Sequence, residues 1–400
     1  MTERRQRSWR GDRRWQAGFV LGTVIGAAAT VLGRRAERAA RRGLVDWAAV
    51  ERLAIARVER APGRLSRLEL DAAEGAYREA MSKVVPRLGE ALGTPLPGVV
   101  ERASVVDRAG WVRANVGTFK TLITRIEADL LDQVVPTGGG LTRATMALAN
   151  RWVTSRQLGF LLGFMGTRVL GQYDLAILSA EAEDGKLLFV EENIRGTAHA
   201  LGIPVAPFRT WIALHETTHA FEFEGNRWLR PYLAERLERQ LSLFSGSAAT
   251  LGRDTRRAIT RALRGEASGE HWLEWLMTDE QRRLFRETQA VMSLLEGFSD
   301  YIMDEVGRGL VPEVEMISAR FHDRRQRRTP FERAILRITG MDLKMEQYER
   351  GEKFVRAVAE ARGRPALSRI WEGPHTLPRP AEIADPSRWI ARVLDGPPAA

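Results

Sequence analysis

The ten residues IALHETTHAF, 212–221, constrain this chain more than any other stretch. Pro207 is well placed to open a helix and Gly225 to stop it, so the sequence between them predicts about five turns. His215 and His219 then stand one turn apart on one face. Phe208, Ile212 and Phe223 share that face, while Trp211, Leu214 and Phe221 cover much of the other. A helix apolar nearly all round belongs in a protein interior. Burying two imidazoles and the Glu216 carboxylate without partners costs on the order of several kcal/mol, so partners must exist. Backbone groups satisfying a pair of core histidines would be one solution, and a metal ion the other.

The metal solution has a definite chemistry. The chain contains no cysteine, which excludes thiolate sites, disulfides and cysteine nucleophiles, so an ion must be held by His, Asp or Glu. Histidines at i and i+4 present two ring nitrogens to one ion, and an acid directly after the first projects toward its open side. There Glu216 would act as general base on a water whose pKa zinc lowers to about 7. A catalytic zinc needs a third protein ligand from another buried element. The segment VMSLLEGFSDYIMDEVG, 291–307, offers Glu296 at the border of a stripe formed by Val291, Leu294, Leu295, Phe298 and Ile302. Gly297 beside it is expected to let this helix approach the histidine helix closely. Asp300, one turn on, is expected to orient a ligating imidazole through its free ring nitrogen, and Asp304 to face solvent. Two surface acids on an amphipathic helix are the plain alternative for this segment.

The remaining text reads as mainly α. Successive amphipathic helices fill 44–170, broken at Pro62-Gly63, at 93–98 and at 136–140. The run 157–171 is too short for a membrane span, and Gly159 and Gly163 suit tight helix packing. Two apolar runs around Asp184-Gly185, within 174–194, predict a small β-hairpin or sheet beside the histidine helix. An edge strand there could pair with an extended peptide, although a purely structural sheet fits the pattern equally. The expected organisation is a basic extension over 1–43, a helical part over 44–170 and a catalytic part over 171–395, the last two forming one unit.

Six arginines precede Trp15, and residues 15–33 then run without a charge. That length suits a single-pass membrane anchor, with Gly18, Gly22 and Gly26 spaced for a helix-to-helix dimer. A buried or surface-bound helix and a cleaved signal are the alternatives. The six and five arginines on its two sides are too even to orient it, and the catalytic part is expected on the cytoplasmic side. The net charge of +10 comes almost wholly from arginine, a compositional skew. No helix-turn-helix, RNA-binding sheet motif or aromatic interleaving accompanies it, so no specific nucleic acid is expected as partner.

Taken together, these residues resemble zincin metallopeptidases of the glutamate-ligand (gluzincin) type, with H-E-x-x-H on one helix and E-x-x-x-D on another. More narrowly, the chain resembles a mainly actinobacterial family of zinc-dependent metalloproteases or hydrolases, some of them named for gene association with deazaflavin coenzyme biosynthesis. The likeness covers about residues 44–395, through VDRAGWVRANVGTF (106–119), TRVLGQYDL (167–175), WIALHETTHAFEF, LLEGFSDYIMD, GMDLKMEQYERGEKFVRAV and DPSRW. It implies a zincin-like fold, zinc on His215, His219 and Glu296, Glu216 as catalytic acid and base, Asp300 behind the ligands, and a peptide or protein substrate. Two departures stand out: the 1–43 extension lies outside the likeness, and the 77 positions from His219 to Glu296 exceed the spacing of thermolysin-like enzymes. A peptidase also needs an electrophile for the oxyanion, for which His322, Tyr348 and His271 are candidates. The competing function is a zinc-binding scaffold or maturation partner in cofactor metabolism that performs no proteolysis.

Overall fold

The computed structural model describes residues 43–134, 141–173, 185–247, 277–326 and 342–396. In chain order its elements are α1 (Trp47–Glu59), α2 (Arg67–Leu92), β1 (Ala103–Val106), α3 (Arg108–Val134), α4 (Leu141–Gly166), β2 (Gly171–Tyr173), β3 (Leu187–Val190), α5 (Glu191–Leu201), α6 (Val205–Glu224), α7 (Leu229–Ser247), α8 (Asp279–Gly307), α9 (Val314–Gln326) and α10 (Asp342–Arg362). Short helical turns follow to residue 394. The fold is thus mainly α with one small sheet, as the sequence predicts.

Local chemistry sets the ends of the long helices. Ser66 and Glu69 form a capping box at the start of α2, and Thr278 and Gln281 form another at the start of α8. α2 stops where Gly93 adopts a left-handed φ of 66°. α6 begins two residues before Pro207 and ends at Gly225. Its buried residues include Trp211, Ala213, Leu214, Thr217, Ala220 and Phe221, which occupy all sides, so it is an interior helix. α2, α5, α8 and β2 surround it.

The small sheet beside α6 has three strands. Its order is β1-β3-β2, with β3 parallel to β1 and antiparallel to β2. Gly171 pairs with Phe189 and Tyr173 with Leu187. The central strand LLFV is buried at all four positions, and it takes partners on both edges. A parallel partner comes from ASVV at 103–106, inside a block that reads as helical. The first of the two expected apolar runs, before Gly185, lies outside the described residues, and 191–194 at the end of the second opens α5.

Two apolar clusters hold the elements. The larger joins α2, α5, α6, α8 and α10 around Met81, Phe208, Leu214, Phe298 and Phe354. The smaller joins α1, α3 and α4 through Val50, Ala54, Trp111 and Leu162. Here Gly159 and Gly163 act as their spacing predicts. A methyl on Gly159 would stand 2.8 Å from Leu53 Cβ, and one on Gly163 would stand 3.2 Å from Ala54 Cα.

The membrane anchor is a correction. Residues 15–33, with Gly18, Gly22 and Gly26, lie outside the described residues. Among the described residues no helix is long and apolar enough to cross a membrane. The long helices interrupt their apolar positions with charge, as α8 does at Arg282, Arg283, Arg286 and Glu287. The single-pass anchor and the membrane location are therefore not supported.

Candidate metal centre

His215 and His219 project from one side of α6, and their Nε2 atoms stand 3.3 Å apart. Glu296, at the middle of α8, places Oε2 3.8 Å from the first of these nitrogens and 4.0 Å from the second. One donor atom from each residue lies within 4.8 Å of the other two. The two helices thus bring together all three residues that the motif and the stripe nominate.

The donors fit a zinc ion. Bond lengths of about 2.0–2.1 Å in a tetrahedron separate neighbouring nitrogens by about 3.3–3.4 Å, which is the spacing of the two imidazoles. His219 Nδ1 lies 2.8 Å from Glu222 Oε2, so Nδ1 carries a proton, and in the neutral ring that ligates a metal Nε2 directs its lone pair toward His215. Glu296 stands a few tenths of an ångström outside that spacing. A shift of its three-bond side chain closes the gap.

The surroundings orient each donor. Ser299 Oγ sits 3.3 Å from His219 Nδ1, beside the Glu222 carboxylate. Met303 Sδ is 2.9 Å from His215 Nδ1, and Asp300 Oδ1 lies 3.9 Å from that same nitrogen. Asp300 therefore stands behind His215, on the side away from the donor set. Burial alone would lower the His219 pKa, but the Glu222 carboxylate, followed by Glu296 and Glu216, holds it well above the usual imidazole range. A ligating imidazole must be neutral, so a bound cation would reverse that effect.

Glu216 occupies a distinct niche. Its Oε2 accepts a hydrogen bond of 3.0 Å from the Tyr173 backbone N–H on the edge strand β2. Burial raises its pKa to about 7, with the Glu296 charge adding to the rise and His219 and the Tyr173 N–H opposing it. Gly171 makes room for it, since a methyl there would sit 2.5 Å from Glu216 Oε1. The sheet therefore lies directly against the acid of the motif.

Other expectations fall differently. Gly297 faces α10, not α6: a methyl on it would lie 2.7 Å from Gly351 Cα and closer still to the neighbouring backbone. Asp304 is half-buried and accepts from Arg356 and Ser318. His322, on α9, hydrogen-bonds through Nδ1 to the Ser318 carbonyl, and it gathers with Asp300 and Glu352. His271 and the side chain of Tyr348 lie outside the described residues. Sequence reasoning passed over Glu222, although an acid three residues beyond His219 on an oily helix carries a readable spacing. No comparable signal marks Gly171 or Tyr173, which depend on the sheet register.

A family model described as zincin-like metallopeptidase matches residues 45–390. Among solved structures, a provisionally assigned hydrolase with a novel fold from Chloroflexus aurantiacus is similar at 34% sequence identity and a TM-score of 0.65. The match covers 88% of this chain and 99% of that one. No curated protein matches.

Proposed function

Because the chain belongs to the zincin-like metallopeptidase family, we propose that it is a zinc-dependent hydrolase that cleaves peptide bonds at the His215–His219–Glu296 centre. The observation that carries this reading is the convergence of the two Nε2 atoms, 3.3 Å apart, with the Glu296 carboxylate and with Glu216 on the same helix. The narrower link to deazaflavin metabolism rests on the sequence blocks alone.

His215, His219 and Glu296 would hold the ion. Zinc supplies a Lewis acid and lowers the pKa of water to about 7. Glu216 is the proton carrier: with a pKa near that of such a water it accepts a proton near neutrality and returns it to the departing amine. The Tyr173 N–H fixes one of its oxygens and leaves the other to exchange the proton. Glu222 sets the tautomer and angle of the His219 ring, and Asp300 stands behind His215 in the corresponding position. β2 and α6 together exclude water from the far side of Glu216, which keeps its carboxylate basic.

The test compares the wild type with Glu216→Gln across a peptide library, with zinc content measured in both. The expected result is equal zinc and cleavage only by the wild type. No cleavage above the variant across the library would overturn the peptidase reading and leave the zinc-binding scaffold.

A further inference from the structure

A second cluster of donors sits beside the first and shares none of its residues. Asp300 on α8, His322 on α9 and Glu352 on α10 each place one donor atom within 4.8 Å of the other two. Two of the helices, α8 and α10, meet here because Gly297 and Gly351 let them touch backbone to backbone. Glu352 follows Gly351 directly, and Asp300 lies one turn beyond Glu296, so that crossing sets the two carboxylates side by side.

The tautomer of His322 decides what the cluster can bind. Its Nδ1 lies 2.8 Å from the Ser318 carbonyl oxygen. A carbonyl only accepts, so Nδ1 carries the proton and the neutral ring keeps its lone pair on Nε2. Ser318 Oγ, 3.3 Å from both His322 Nδ1 and Asp304 Oδ1, braces the ring from behind. Among the described residues His322 makes hydrogen bonds only with Ser318, and none with either carboxylate. Arg356 pairs with Glu352 and Asp304 on the flank. Asp300 is buried, at 7% exposure.

One imidazole nitrogen with two carboxylates suits a divalent transition metal, whereas magnesium and calcium favour all-oxygen sites. We propose that Asp300, His322 and Glu352 bind a second divalent transition-metal ion, distinct from the one assigned to the His215 centre. Asp300 Oδ1 also stands 3.9 Å from His215 Nδ1. Loading the second site would therefore fix the carboxylate that backs the first.

Zinc is the probe. The full chain, stripped by chelator, is dialysed against micromolar zinc and its metal counted per chain by mass spectrometry. The expected count is two for the wild type, one for His322→Ala, one for Glu352→Gln, and one for the His215→Ala/His219→Ala double variant. His322→Gln, checked for a wild-type unfolding temperature, keeps loss of the ion separate from loss of the fold. A wild-type count that His322→Ala and Glu352→Gln leave unchanged overturns this inference. A single ion lost only with His322 or Glu352 supports it and sinks the assignment of the His215 centre. A single ion lost only in the double variant does the opposite.

Discussion

The contact between Gly297 and Gly351 gives a sharp quantitative test. A methyl added at Gly297 would stand 2.7 Å from Gly351 Cα and nearer to two further backbone atoms, and ordinary contact begins at 3.4 Å. Backbone cannot rotate away as a side chain can, so α8 and α10 must separate along their crossing. Overpacking of this kind costs about 1–3 kcal/mol where side chains yield, and a clash with backbone belongs at or above the upper end. Replacing a helical glycine by alanine returns about 1 kcal/mol, which leaves a net loss of about 2 kcal/mol or more. The control is Gly75 on α2, where a methyl would meet nothing within 4 Å. Gly75→Ala should gain about 0.5–1 kcal/mol. Unfolding entropy of about 2.1 cal/mol/K per residue makes the net loss at Gly297 worth roughly 2–3 °C for a chain this size, with more for a larger loss. Urea titration followed by circular dichroism, with thermal unfolding beside it, measures both. A Gly297→Ala chain as stable as Gly75→Ala would refute the reasoning about the helix crossing.

Further outcomes follow from the same geometry. Glu222→Ala removes the acceptor of the His219 Nδ1–H and should weaken zinc binding about 10–100-fold in a competition titration, with helix content kept. Gly171→Ala drives a methyl into Glu216 and should lower kcat while zinc content stays the same, measured on any peptide the library identifies. Near the C-terminal end, burial would raise the Glu382 pKa, but hydrogen bonds from Arg392 and the Arg379 backbone outweigh it and hold the carboxylate below its usual range. Its contribution is therefore present above the unfolded pKa of about 4.3 and lost as pH falls through the lower folded value. Glu382→Gln should cost roughly 1–3 kcal/mol at pH 7, and the gap from wild type should narrow as pH falls below the unfolded value in acid titrations of stability.

Much of the site is legible in the sequence because it is local. His215, Glu216 and His219 share a single helix, and helical spacing alone sets them on one side. Glu296 is legible through a different signal, an acid at the edge of an apolar stripe. What the sequence hides is long-range. The nearest partner of Gly297 is Gly351, 54 positions on, and periodicity says which face of a helix is small without saying what fills it. The same holds for the sheet: ASVV at 103–106 is too short to stand out from the helices around it, and its partner LLFV lies more than 80 residues away. The Tyr173 N–H that holds Glu216 depends on this register. The apolar run at 15–33 shows the opposite hazard, since length and absence of charge suggest a location that no described helix supports.

The central claim is that one zinc ion joins α6 to α8. An anomalous-difference map from crystals of the zinc-loaded chain, collected on both sides of the zinc edge, tests it most directly. The account predicts a peak bonded to Nε2 of His215, Nε2 of His219 and a carboxylate oxygen of Glu296, with Glu216 beside it and unbonded. Crystals grown with excess zinc that show no anomalous peak between these three side chains would contradict it.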